Sequence, residues 1–508
     1  MSMQGPRWTR RGFLGAGTAS IAGALAPAVA GAAAATKAPA EAVAIAARPR
    51  PSAAQLAWQR EELSMFVHFS VNTFTGREWG DGSESPRVFD PSALDARQWA
   101  RTAKECGFGS MILTAKHHDG FCLWPTRTTR HSVASSPWRG GRGDVVREFT
   151  DACRAEGLGV GFYLSPWDRN MPVYGEGKPY DDRYIEQLTE LLTGYGPVVE
   201  VWFDGANGEG PGGKRQQYDW ARIHRTVRAL QPEAVIFSDS GPDVRWIGNE
   251  TGSAGSTCWA SVDPARVPRP GADDPWTGEA LQQGDPYGGT WRPGETDVSI
   301  RPGWFWHAEQ DAHVRGPRNL MNLYFTSVGR NSKLLLNVPP TPQGLFHDND
   351  VRALREFARL RRAMLAHDHA AGAAATASSN AGAAGRATDG DRDSFWSPDG
   401  GARSGWLELA LPADAAFDVV RLEEAIAHGQ HVSNYRIDAW RDGGWQPLTW
   451  GTTIGHCKLD RVPVTRTPRL RVAIEHAYDV PRIARVGLYQ SGGESWDRPD
   501  YHGGQAHG

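Results

Sequence analysis

Two carboxylates stand out in this chain because of what surrounds them. Asp204 directly follows the apolar run Val199-Glu200-Val201-Trp202-Phe203 and precedes Gly205, while Glu250 lies in the Gly-containing segment Gly248-Asn249-Glu250-Thr251. Imidazoles and aromatic rings close similar runs elsewhere: His68, the pair His117 and His118 in Lys116-His117-His118-Asp119-Gly120, Tyr163, Trp167-Asp168, and Trp306-His307. An Asp and a Glu presented by different segments among such groups fit retaining glycoside hydrolysis. One carboxylate attacks the anomeric carbon; the other, kept protonated by its surroundings, gives its proton to the leaving oxygen and later activates water. Asp204, behind a rigid buried run, suits the nucleophile, and Glu250, in a looser segment, suits the acid/base. Taken singly, each has a plain alternative: Asp204 could cap the next helix, and Glu250 could pair with an Arg such as Arg245. The aromatic company of both favours catalysis.

A metal cluster of His68, His117 and His118 is the competing reading. Barrel hydrolases that bind zinc need a His-x-His pair on the first strand, and Val67-His68-Phe69-Ser70 offers one imidazole, so no metal or other cofactor is expected. If His117 and His118 lay on a regular strand they would alternate in direction, so only one should face a pocket unless the strand has already turned.

These residues need a frame that gathers strand ends. Short β-branched or aromatic runs recur at 65–69, 110–114, 160–164, 199–203, 234–238, 244–247, 303–306 and 334–338. Helical patterns at 93–105, 144–155, 184–192 and 218–230 separate several of them. This alternation predicts an α/β fold: a parallel (β/α)8 TIM-like barrel over 52–366, with its active site at the C-terminal ends of the strands. Residues in the 250s to 290s are rich in Gly, Pro, Trp and Asp and predict long loops on that side. The run 367–387 is Ala-rich and low in complexity, which predicts a linker. Short alternating strands at 407–411, 419–422, 435–439, 470–474 and 483–489 then predict an antiparallel β-sandwich over 388–492, followed by a tail, 493–508.

Composition removes other classes. The 508 residues carry 55 Lys+Arg against 58 Asp+Glu, so no charge excess points to nucleic acid. Only seven of the basic residues are Lys, an Arg bias without any basic run. The 21 Trp, 12 Tyr and 17 Phe exclude a disordered chain and supply flat apolar faces suited to stacking on sugars. Residues 1–36, with Arg10-Arg11, an Ala/Gly-rich middle and Ala28-Val29-Ala30, predict a cleaved twin-arginine export signal, hence a secreted protein with no membrane contact after cleavage. The five cysteines lack disulfide-framework or zinc spacing and are expected as buried thiols.

Seven segments resemble the α-L-fucosidases of glycoside hydrolase family 29: FVHFSVNTFTGREWG (66–80), LTAKHHDGFCLWPT (113–126), GFYLSPWDRN (161–170), VWFDGANGEG (201–210), RWIGNETG (245–252), SIRPGWFWH (299–307) and LLLNVPPTPQGL (334–345). The resemblance implies Asp204 as nucleophile and fucose binding by His68, Glu78, His117, His118, Tyr163 and Trp202. Glu250, 46 positions after Asp204, and the stretch 291–307 resemble the subfamily acting on α-1,3- and α-1,4-linked fucose of Lewis-type branches. That implies Glu295, Asp297, Arg301 and Trp306 as contacts to the neighbouring galactose. The partner implied is a fucosylated oligosaccharide or glycoconjugate. A broad-specificity fucosidase with a different acid/base and a non-catalytic fucose-binding lectin are the alternatives. The segments RATDGDRDSFWSP (386–398) and LEEAIAHGQHVSNYRIDAW (422–440) resemble a discoidin-like, galactose-binding-type sandwich.

Overall fold

A computed structural model describes residues 48–492 except 273, 275 and 414. The expected export signal and the tail from 493 lie outside the described residues.

Eight parallel strands close a barrel. In chain order they are β1 (Leu63–Val67), β2 (Ser110–Lys116), β3 (Gly159–Leu164), β4 (Glu200–Trp202), β5 (Val235–Ser238), β6 (Val244–Trp246), β9 (Gly294–Ser299) and β10 (Ser332–Asn337), each paired with the next and β10 returning to β1. Between β6 and β9 the two-residue strands β7 (Ser261–Val262) and β8 (Thr290–Trp291) form a small antiparallel pair within the expected long loops. Helix α1 (Ala53–Glu61) precedes the barrel. The others are α2 (Val71–Thr75), α3 (Ala96–Cys106), α4 (Val145–Ala155), α5 (Lys178–Gly194), α6 (Trp220–Leu230), α7 (Thr277–Gln283), α8 (Pro317–Thr326) and α9 (Asp348–Leu365). Their starts follow from sequence: Asp95, Asp144 and Asp219 each accept a backbone N–H of the first turn of α3, α4 and α6, satisfying donors that would otherwise lack partners. Trp99, Ala100, Ala103 and Cys106, spaced by three and four, form the buried stripe of α3.

One barrel strand is not where the sequence puts it. The run Gly303–Trp306 is a loop over the barrel mouth, and the seventh barrel strand is β9, Gly-Glu-Thr-Asp-Val-Ser. A strand buried on both faces is expected to be apolar. In β9 the inward-facing residues are Glu295, Asp297 and Ser299, so its composition reads as loop.

The C-terminal unit has two antiparallel sheets, ordered β11–β12–β17–β14–β15 and β16–β13–β18. Their strands are β11 (Ala375–Ala377), β12 (Gly405–Ala410), β13 (Ala416–Glu424), β14 (Val432–Arg441), β15 (Gly444–Gly451), β16 (Lys458–Arg466), β17 (Arg469–Ala477) and β18 (Ile483–Tyr489). Leu407, Ile437 and Val472 from the first sheet meet Val420, Leu422 and Val486 from the second. The expected linker belongs to this unit: β11 pairs with β12, and Ala383, Ala384 and Ala387 are buried in the same core. Small side chains fit there because backbone and core crowd them, so low complexity marks close packing.

Sandwich and barrel meet at the N-terminal face of the barrel. Glu62, between α1 and β1, accepts from Arg421 of β13 at 2.6 Å and from Arg392 at 3.0 Å. Burial opposes ionisation of Glu62, but Arg421 and Arg392 hold its carboxyl well below the usual range. Asn331, at φ 61°, reaches across: its Nδ2 donates to the carbonyl of Cys258 (2.9 Å) and its Oδ1 accepts from His456 N (2.8 Å). All five cysteines are buried and unbridged. No helix of the described residues is long and apolar enough to cross a membrane. Arg421→Ala would leave the Glu62 and Glu423 carboxylates buried without their main partner, and should cost about 3–5 kcal/mol of stability by denaturant unfolding; a loss under about 1 kcal/mol would show that water enters this junction.

Candidate active site

The alternation of β4 points Trp202 and Asp204 to the same, inward side. Asp204 sits two residues beyond the end of the strand, with its carboxylate largely buried. Its Oδ2 accepts from the Tyr163 hydroxyl of β3 at 3.3 Å and lies 3.8 Å from His118 Nε2, and its Oδ1 accepts from Ala206 N at 2.7 Å. Gly205 is required by packing rather than only by substrate access, because a side chain there would run into the Asp239 carboxylate.

Three imidazoles line the same space. His68, at the end of β1, is oriented by Asn337 of β10, whose Oδ1 is 2.8 Å from its Nδ1. His117 stacks on Tyr163 with ring centroids 5.6 Å apart and 16° between planes, and lies 5.5 Å from His68. The Ser165 hydroxyl donates to the carbonyl of Trp167 at 2.6 Å and so accepts from His118 Nδ1 at 2.7 Å. This turns His118 Nε2 towards Asp204 across the pocket. Both His117 and His118 reach the site because the strand has already turned: pairing with β3 is irregular between Thr114 and Lys116. Lys116 instead faces α5, held by Asp168 and Gln187, each at 2.9 Å.

Burial dominates the histidines' protonation. It lowers His68 to about 3 despite the Asn337 bond, and it keeps His117 well below the usual range, with His118 and His68 adding repulsion. Both are neutral near pH 7 and can exchange hydrogen bonds with sugar hydroxyls without adding positive charge. Among the described residues no group of three His, Cys, Asp or Glu has the arrangement of a metal site.

The lip and floor come from other loops. Glu78 joins two rim segments, with Oε1 2.6 Å from His307 Nε2 and Oε2 accepting from Trp304 N at 2.7 Å. Its bond raises the pKa of His307. Trp202 forms the floor, stacked on Phe237 at 4.2 Å and donating to Glu295 Oε2 at 3.2 Å. Asp297 accepts from Trp246 Nε1 at 2.7 Å inside the barrel. Glu250 is exposed on the rim beyond β6, in a loop bent by Gly248 and Gly252, both at positive φ.

Two expected galactose contacts need correction. Glu295 is fully buried in the barrel interior beneath Trp202, out of reach of a sugar at the mouth. The Arg301 guanidinium is also buried; its Nε donates to Asp350 (2.9 Å) and its Nη1 to Asp311 (2.8 Å), which anchors the 303–307 loop from below. Trp306 lies over that guanidinium, 6.0 Å from ring centre to Cζ. The structure also adds residues that the sequence reading did not single out. Trp304 packs on His68 at 5.1 Å, and half-exposed Trp79 meets His118 and Trp167 edge-on at 5.9 Å. Both lie inside segments that carry the family resemblance, but nothing in residue type separates them from core tryptophans.

Residues 52–362 match the α-L-fucosidase family, and residues 373–470 match the F5/8 type C domain. The chain is 42% identical to α-L-fucosidase 1 of Arabidopsis thaliana over 450 residues, 87% of each chain. The crystal structure of SpGH29 superposes with a TM-score of 0.82 at 40% identity, covering 87% of this chain and 98% of that one. A Ruminococcus gnavus GH29 fucosidase in complex with fucose superposes with a TM-score of 0.78 at 32% identity, covering 87% and 95%.

The lowered values of His68 and His117 carry a sign. The unfolded chain binds these protons near pH 6.5 and the folded chain does not, so stability is complete above about pH 6.5 and is lost as pH falls towards 3. Imidazole proton resonances of His68 and His117 should therefore hold their neutral positions from about pH 7 to about pH 4.5; a midpoint near 6.5 for either would mean that water reaches the ring.

Proposed function

The chain belongs to the α-L-fucosidases of glycoside hydrolase family 29, and from that premise we propose a retaining double displacement on α-1,3- or α-1,4-linked fucose of Lewis-type branches. Asp204 attacks the anomeric carbon and forms a glycosyl-enzyme intermediate. Glu250 protonates the departing glycosidic oxygen, and its carboxylate then takes a proton from the water that releases fucose. The observation that carries this reading is the placement of Asp204: it is rigid at a strand end, in contact with Tyr163, and ringed by His68, His117 and His118. The Tyr163 hydroxyl stabilises the Asp204 carboxylate as it leaves in the second step. Neutral imidazoles hold the sugar hydroxyls and leave the developing oxocarbenium charge unopposed.

Exposure of Glu250 in a glycine-flanked loop suits a group that must meet both leaving glycan and water. The same loop resembles the linkage-selective subfamily, which supports the substrate assignment. The fucose-bound Ruminococcus gnavus relative supports fucose as the sugar held by His68, Glu78, His117, His118, Tyr163 and Trp202. Asp297 and Trp306 remain the proposed contacts to the neighbouring galactose. The twin-arginine segment supports export of the folded enzyme.

Asp204→Ala should abolish release of fucose from a Lewis-type trisaccharide; activity within about tenfold of the parent would remove Asp204 as nucleophile. Glu250→Ala should slow the trisaccharide by roughly 10²–10⁴-fold, slow p-nitrophenyl α-L-fucoside less, and recover with azide. Equal loss on both substrates without rescue would assign the proton transfer elsewhere. Rapid hydrolysis of the aryl fucoside by the parent would contradict linkage selectivity.

A further inference from the structure

The barrel interior beneath the candidate site holds a second pair of carboxyl groups with no role in the mechanism above. Glu200 opens β4 and Glu295 lies on β9; both are completely buried. Each has one oxygen tied to an indole. Trp58 Nε1 donates to Glu200 Oε2 at 2.8 Å, and Trp202 Nε1 donates to Glu295 Oε2 at 3.2 Å. The other oxygens, Glu200 Oε1 and Glu295 Oε1, receive no N–H or hydroxyl bond from the described residues. Both face the same interior space, because Glu200 and Trp202 alternate to one side of β4 and Glu295 reaches the Trp202 indole. Two carboxyl oxygens can bond only through a proton that one of them carries, since two facing carboxylates would repel in a dry interior.

We infer that Glu200 and Glu295 share one proton and act as a positioning pair for the reaction, holding the Trp202 indole and, through it, the Tyr163 ring that donates to Asp204. Burial raises both carboxyls, and the Glu200 charge raises Glu295 further. Lys333 is the nearby cation; its ammonium is bonded to Glu61 at 2.8 Å and stands over the Trp58 ring at 4.8 Å. Above the pair, Trp202 is fixed on three sides: by Glu295 below, by the Phe237 face at 4.2 Å, and by Tyr163 at 5.2 Å. Without the Glu295 acceptor the indole N–H would be buried and unsatisfied, and the ring would tilt to find a partner. Tyr163 would follow it, and the 3.3 Å bond to Asp204 with it.

This rests on the reading of Asp204 as nucleophile, so Asp204→Ala is measured in parallel on the full chain. Glu295→Gln keeps a carbonyl for Trp202 and gives Glu200 an N–H in place of the shared proton. It should retain kcat, KM and the near-ultraviolet circular dichroism of the tryptophans. Glu295→Leu should lower kcat by about tenfold to 10²-fold with a smaller change in KM, and should alter the tryptophan signal. A Glu295→Leu enzyme with parental kcat would overturn the positioning role. The shared proton has its own readout if Glu295→Leu does not fold. The infrared difference spectrum of parent minus Glu295→Gln at neutral pH should show the carbonyl stretch of a protonated carboxylic acid, and its absence would overturn the pair. If Asp204→Ala stays active, the nucleophile reading fails, while the infrared band still decides whether the pair exists.

Discussion

Closing eight parallel strands on themselves sends every second side chain of each strand into a space from which water is excluded, and the rest of the molecule answers to that constraint. In β4 the alternation stacks Glu200, Trp202 and Asp204 on one inward face, from the barrel interior to its mouth. In β9 it stacks Glu295, Asp297 and Ser299 likewise. A reactive carboxylate at a strand end is therefore supported from below by residues of its own strand, and its position is as rigid as the barrel.

Polar groups in such an interior must find partners there. Glu295 bonds to Trp202, Asp297 to Trp246, Lys116 to Asp168 and Gln187, and Arg301 to Asp350 and Asp311. These contacts direct each element. Arg301 fastens the loop that carries Trp304 and Phe305 to α9, Asn337 orients His68, and Glu78 joins the opposite rims of the mouth. Burial lowers the His68 and His117 imidazoles, and these two rings with His118 surround one acid, Asp204.

The sandwich contributes from the far side. Its Arg421 and Arg392 neutralise Glu62 at the N-terminal face of the barrel, just ahead of β1, while Asn331, just ahead of β10, is clasped by His456. The two strands entered there are neighbours in the barrel and end at His68 and Asn337, which bond to each other at the mouth. The C-terminal domain thus braces the pair of strands that holds one histidine of the site.

Much of this was legible in sequence, because strands buried on both faces read as apolar runs and the barrel's βα alternation repeats. Seven of the eight barrel strands, the two-domain order and the gathering of His68, His117, His118, Tyr163 and Asp204 at one end follow from those runs and from the family-like segments. The eighth strand, β9, was hidden because its inward residues are polar, and a polar residue facing a barrel interior looks the same in sequence as one facing water. For the same reason the sequence could not distinguish Glu295 and Arg301, which hold the barrel and its loop together, from residues that would meet a sugar. Periodicity reports which face of an element is covered; only the closed register of the barrel decides which carboxyl meets which indole, and hence which polar groups remain for substrate.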